Sequence, residues 1–148
     1  LSIIRSAVEE DVPELVDLLS LLFSQESEFQ PNRQRQTAGL KGIITDPAVG
    51  IILVAENDGR LVGMVNILYT VSTVLGGRVA LLEDMVVDPS TRGTGIGSKL
   101  LNTAIETCKT NNCKRITLLT DQDNINAQRF YERHGFQQST MIPLRYRI

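Results

Sequence analysis

The chain has 148 residues, a formal charge of −2 and 42% apolar residues, the profile of one globular domain with enough interior to fold without disulfides or metals. Its lysines and arginines are scattered among acids, which argues against a nucleic-acid partner, and its richest apolar runs, Ile51 to Ala55 and Leu61 to Val65, are far too short to span a membrane. No export signal is recognised, and Cys108 and Cys113 have no histidine at zinc-site spacing, so the expectation is free thiols, no metal and a cytoplasmic setting.

Residues 2 to 6 can form a first strand. Ser6 and Glu9 stand at capping-box spacing, and Val12, Leu15, Val16, Leu19, Leu22 and Phe23 then recur with helical period. The chain turns polar from Ser24 to Gln36, carrying Glu26, Glu28 and Phe29, and a second helix is predicted from about Arg33 to Thr45. Gly50 to Glu56 is an apolar run suited to a buried strand. Asn57-Asp58-Gly59-Arg60 is a hairpin turn leading back into Leu61 to Thr73, and Gly76-Gly77 makes a second hairpin into Ala80 to Val87.

The stretch that follows is an anion-binding device. Gly93, Gly95 and Gly97 lack side chains, so the backbone can come close to a ligand, and the first turn of the helix after them has amide protons without intrahelical partners. A phosphate satisfies those donors and the positive end of the helix dipole, and Arg92 and Lys99 flank the turn. The spacing excludes two phosphate loops. A Walker loop needs lysine directly after its last glycine, where this chain has Ser98. The dinucleotide fingerprint needs its third glycine one position later, which leaves Asp121, 24 residues beyond Gly97, as a decoy for the ribose-binding acid.

Beyond the loop, Gly97, Leu100, Leu101, Ala104, Ile105 and Cys108 share one helix face, which ends at Asn111-Asn112. Arg115 to Thr120 is a further strand, expected parallel to the one at 80 to 87 across this crossover. A last helix carries Ala127, Phe130, Tyr131 and His134, with Gly135 as its C-terminal cap, and Gln137 to Ile148 is expected to return as an edge strand.

Arg92-Gly93-Thr94-Gly95-Ile96-Gly97 closely resembles the coenzyme A pyrophosphate loop of the Gcn5-related N-acetyltransferases (GNAT superfamily), Arg/Gln-x-x-Gly-x-Gly/Ala. Asn124-Ile125-Asn126-Ala127-Gln128-Arg129-Phe130-Tyr131-Glu132-Arg133-His134-Gly135-Phe136 resembles the family segment Asn-x-x-Ala-x-x-Phe/Leu-Tyr-x-x-x-Gly-Phe. With Leu82 to Val87 ahead of the loop, the match spans residues 80 to 136. The resemblance implies a single N-acetyltransferase domain over residues 1–148, of the α/β (α+β) class, with a mixed, mostly antiparallel central sheet flanked by helices in the order β-α-α-β-β-β-α-β-α-β.

It also implies an activity: direct attack of a small-molecule primary amine on the thioester of acetyl-CoA, without an acyl-enzyme. The backbone of Met85, Val86 and Val87 would pair with the pantetheine arm, one amide acting as oxyanion donor. The pyrophosphate would lie on the amides of Arg92, Gly93, Thr94, Gly95, Ile96 and Gly97, with Ser98 beside it. Asn124 matches a cofactor-touching residue and equally suits a plain helix cap. An amine with a pKa of about 10.4 must lose a proton before attack. Glu83 stands where several relatives carry the base, with Asp84 as its rival; on a regular strand only one of the two can face the cleft. Tyr131 matches the family tyrosine that protonates or hydrogen-bonds the departing sulfur. Without the family, Phe130 and Tyr131 would be read as core.

Glu26, Glu28 and Phe29 fall where the fold usually forms the acceptor wall. Some likeness to the polyamine branch makes polyamines one candidate acceptor class, beside aminoglycosides, amino acids and protein N-termini. A homodimer is the common assembly of the family. The alternatives are a non-catalytic coenzyme A sensor and an enzyme acting on a protein amine.

Overall fold

The computed structural model describes residues 2–25 and 31–148, so Glu26, Glu28 and Phe29 lie outside the described residues. Five strands, β1 (Ser2–Ser6), β2 (Gly50–Asn57), β3 (Arg60–Ser72), β4 (Gly77–Val87) and β5 (Ile116–Leu118), form one sheet in chain order. β1 to β4 are antiparallel neighbours, and β5 joins β4 in parallel. Four helices complete the fold among the described residues: α1 (Val12–Gln25), α2 (Arg33–Ile44), α3 (Ile96–Thr110) and α4 (Ile125–Arg133). The β2–β3 turn places Asp58 and Gly59 at φ of +52° and +77°, the paired left-handed geometry that lets a two-residue loop follow the twist of its strands.

Neighbouring strand residues serve different cores because side chains alternate between sheet faces. Ile52, Val54, Met64 and Val86 pack against Leu15, Val16 and Leu19 of α1 and Leu40 of α2. Leu53 and Val65, each next to one of those, and Leu82, four residues before Val86 but across a register shift in β4, pack against Leu100, Leu101, Ala104 and Cys108 of α3. Helices thus cover both faces, which is why β2 and β3 read as nearly continuous apolar runs.

Two expectations are corrected here. The helix start is not built by Ser6 and Glu9. Ser6 still belongs to β1, and a short 3-10 turn at Glu9–Asp11 precedes α1. The Asp11 carboxylate accepts from the Val8 amide at 2.8 Å and takes both prongs of Arg5 at 2.8 and 3.0 Å. Arg5 also donates to Glu56 at 3.0 Å. The hydrogen-bonded guanidinium holds the Asp11 carboxyl below its usual range, against the opposing effect of burial.

The closing strand at 137–148 does not form, so the observed order ends at α4. Met141, Ile142, Leu144, Tyr146 and Ile148 are each at least 78% exposed. Alternating apolar residues make a strand only where a neighbouring backbone completes the ladder. β5 pairs with β4 over three residues only and is shorter than the predicted 115–120, and no strand among the described residues lies on its outer edge.

Candidate active site

The site begins with an irregularity in β4. Asn66 is paired with Glu83 and Met64 with Val86, so Asp84 and Met85 together oppose the single residue Val65. This is a β-bulge, and Asp84 takes a φ of +56° to make it. The bulge overturns the expectation that alternation admits only one acid to the cleft: Glu83 and Asp84 both line the same two cavities. Asp84 accepts a 2.6 Å hydrogen bond from the Asn66 amide nitrogen, whereas Glu83 is exposed.

Beside the bulge the sheet splits. The β4–β5 ladder ends at Leu82 and Leu118, so the edge of Met85 to Val87 that faces β5 has no strand partner among the described residues. Side chains from both sheet faces meet in this gap. Leu22 of α1, Glu83, Asp84, Met85, Asn124 and Tyr131 line a cavity of about 150 Å³ there.

The glycine loop lies downstream of the same strand. Asp88 accepts from Ser90 at 2.9 Å and Thr91 back-bonds to the Asp88 carbonyl, which reverses the chain after β4. Thr94 then donates to the Thr91 carbonyl. Gly93 and Gly95 sit at φ of +82° and +85°, a region closed to most side chains. Gly95 is the N-cap of α3 and offers no side-chain acceptor, and the first helical bond runs from Lys99 N to Gly95 O at 3.0 Å. The amides of Ile96, Gly97 and Ser98 precede that bond and are presented at the helix N-terminus. Gly97 differs from the other two. It is inside α3, where a Cβ would meet Phe130 and Val87 at 3.6 and 3.8 Å, ordinary contact distances. Arg92 is exposed beside the loop. Lys99 is directed elsewhere, its Nζ donating to the Ser2 carbonyl at 2.6 Å.

Asn124 caps α4, its side-chain oxygen accepting from Ala127 N at 3.1 Å, and it lines the cavity in the sheet gap as well. Tyr131 packs edge-on to Phe130 and Phe136 at ring separations of 5.3 and 5.9 Å. Its hydroxyl makes no hydrogen bond among the described residues, and burial pushes its pKa up to about 12. His134 ends the helix, with Nδ1 at 2.8 Å from the Phe130 carbonyl, as expected for a C-terminal position. Cys108 is 1% exposed in the α3 core, and burial pushes its thiol up to about 12; such a thiol is unreactive.

Two residues of the site escaped sequence reasoning. A second cavity of about 300 Å³, walled by Leu19, Phe23, Leu40, Ile43 and Leu68, also exposes Gln36, Asn66, Glu83 and Asp84. Gln36 and Asn66 are 7% and 3% exposed, and both polar atoms of Gln36 and the Oδ1 of Asn66 have no hydrogen-bond partner among the described residues. An unpaired buried polar group costs about 1–3 kcal/mol. For Asn66 a signal existed: it interrupts the apolar run Leu61 to Leu68. For Gln36 there was none.

A sheet split beside a bulge, a glycine-opened helix N-terminus and a tyrosine over the gap form one composite cleft. The sequence model of the acetyltransferase (GNAT) family matches residues 12–136. The chain is a member of that family. It is an acyltransferase with acetyl-CoA as cosubstrate. GNAT relatives include the uncharacterized N-acetyltransferase YhfO of Bacillus subtilis, 32% identical across 80% of this chain and 81% of that one. The aminoalkylphosphonate N-acetyltransferase of Salmonella typhimurium is 30% identical across 92% of this chain and 85% of its own. A structure from Clostridium difficile 630 described as a possible acetyltransferase superposes with a TM-score of 0.89, covering 100% of this chain and 98% of that one at 22% identity, which establishes the shared GNAT fold.

Proposed function

We propose that residues 1–148 form a single GNAT domain that transfers the acetyl group of acetyl-CoA to the primary amine of a small molecule by direct attack. The observation that carries this reading is the acid pair Glu83–Asp84 lining both cavities, one in the sheet gap with Tyr131 and one walled by α1 and α2. The thioester enters the first, with pantetheine along Met85, Val86 and Val87 and the pyrophosphate on the amides from Arg92 to Ser98. Asn124 contacts the cofactor while capping α4. The amine enters the second, whose volume falls within the small-ligand range.

Glu83 is the base, acting through water, because it makes no hydrogen bond among the described residues while Asp84 is held by Asn66. The relative from Salmonella named for aminoalkylphosphonates supports a small-molecule acceptor. The deciding experiment follows thiol release from acetyl-CoA across a panel of amines. At least one primary amine is expected to release thiol; tight acetyl-CoA binding with no release from any amine sinks the enzyme reading. Glu83→Gln is expected to lower turnover at neutral pH by roughly 10²-fold or more, with recovery as the pH approaches the amine pKa of about 10.4, where the acceptor deprotonates unaided. The same profile from Asp84→Asn, with Glu83→Gln unaffected, would move the base to Asp84.

We also propose a cytoplasmic homodimer. The buried free thiol of Cys108 suits a reducing compartment, and no helix among the described residues is long and apolar enough to cross a membrane. The exposed apolar tail from Met141 to Ile148 supports pairing with a second copy. Light scattering is expected to give twice the chain mass, falling to a monomer when residues 141–148 are removed; a monomeric full chain refutes the dimer.

A further inference from the structure

We propose that Gln36 and Asn66 select acceptors in which an uncharged group with both hydrogen-bond donor and acceptor capacity, an amide or a hydroxyl, accompanies the primary amine. This rests on the acceptor cavity assigned above and names what it recognises. The orientation of Asn66 follows from its partner. The Asp84 carboxylate it contacts at 2.6 Å can only accept, so the amide nitrogen of Asn66 faces Asp84 and Oδ1 is the atom left open. The cavity therefore presents a fixed, buried acceptor that requires an N–H or O–H from its occupant.

Gln36 adds the second condition. Both ends of its amide are unpaired among the described residues at 7% exposure, so whichever way the amide is turned it offers one donor and one acceptor set. A second ammonium group can answer the oxygen of Gln36 but leaves its nitrogen unpaired. A carboxylate or phosphonate can answer the nitrogen but leaves two buried oxygens unpaired and meets the Glu83–Asp84 pair in the same cavity. An amide or hydroxyl satisfies both ends. The remaining wall of Leu19, Phe23, Leu40, Ile43 and Leu68 takes the hydrocarbon between the two polar groups. A site built around such hydrogen bonds discriminates strongly, because an analogue lacking the group leaves the protein's own polar atoms unpaired.

The test uses 4-aminobutanamide, pentylamine, 4-aminobutanoate and 1,4-diaminobutane, with the homologous series one and two methylenes longer. Binding is measured by titration calorimetry on the full chain saturated with coenzyme A, and thiol release is measured in parallel with acetyl-CoA. The amino-amides are expected to bind roughly 10-fold or more tighter than their alkylamine, carboxylate and diamine counterparts, the direction set by the unpaired partners. Gln36→Leu, close in volume, is expected to erase that preference and improve alkylamine binding, and Gln36→Asn to keep part of it. Circular dichroism confirms folding, and if Gln36→Leu does not fold, the wild-type ranking alone decides. An alkylamine, carboxylate or diamine ranked first, no binding by any probe, or an unchanged order in folded Gln36→Leu overturns the proposal. Amide-selective binding without thiol release would sink the transferase reading and leave this one standing; thiol release without amide preference would do the reverse.

Discussion

Replacing Tyr131 by phenylalanine is expected to lower kcat by roughly 10²-fold or more while leaving acetyl-CoA affinity nearly unchanged, the scale of a positioned acid or donor. The ring would keep its edge contacts with Phe130 and Phe136, so packing survives and only the hydroxyl is lost. Tyr131 lines the cavity in the sheet gap, and its hydroxyl is unpaired among the described residues. Its pKa, pushed up to about 12 by burial, sharpens what it can do. A departing alkyl thiolate has an ordinary thiol pKa of about 8.5. Full proton transfer from Tyr131 to the sulfur would then run uphill by roughly three orders of magnitude. The expected role is therefore donation of a hydrogen bond to sulfur as charge develops there.

The pH dependence follows in sign. An acid whose pKa is raised stays protonated further into alkali, so loss of the Tyr131 proton should produce no falling limb in kcat below about pH 11. Stopped-flow rates for Tyr131→Phe equal to wild type would reduce the residue to packing. A falling limb near pH 9 that disappears in Tyr131→Phe would refute the high pKa.

Gly95→Val is expected to abolish acetyl-CoA binding in a chain that still folds. Apart from Gly95 itself and its two chain neighbours, no atom of the described residues lies within 4 Å of a Cβ built at Gly95, so the substitution meets no clash with the packed structure around it. Its effects come from a β-branched residue at φ +85° and from a side chain placed over amides that must approach the ligand closely. Gly76→Val separates the two effects. Gly76 has a comparable φ of +72° and equally open surroundings, but it lies in the β3–β4 turn. Thermal unfolding should show both variants destabilised, and calorimetric titration should show only Gly95→Val unable to bind. Intact binding by folded Gly95→Val would refute the loop assignment.

Much of this fold was legible in the residues. The Asp58-Gly59 turn, the Gly76 turn, the apolar faces of α1 and α3 and the parallel placement of β5 are local or short-range signals, and the structure contains each of them. The closing strand from Gln137 to Ile148 has the right alternation but no ladder partner among the described residues, so pattern alone misled. The helix start misled in another way: Ser6 and Glu9 match a spacing rule, yet Arg5 and the Val8 amide draw Asp11 into that position. A spacing rule does not weigh a guanidinium arriving from a neighbouring strand.

By itself the sequence determined the chemistry on offer: glycines where the backbone must turn left-handed, an acid pair before them, and a tyrosine in a motif helix after them. Those properties travel with the residues, because backbone freedom and side-chain functional groups are local. Tertiary structure decided what meets what. The bulge at Asp84 and Met85 turned two adjacent acids into the same pair of cavities, which strand alternation forbids. The end of the β4–β5 ladder at Leu118 opened the gap that Tyr131 lines. Gln36 and Asn66, 30 residues apart, became the unpaired polar groups of one apolar cavity. Register, splay and burial are relations between distant segments, and no single stretch of chain contains them.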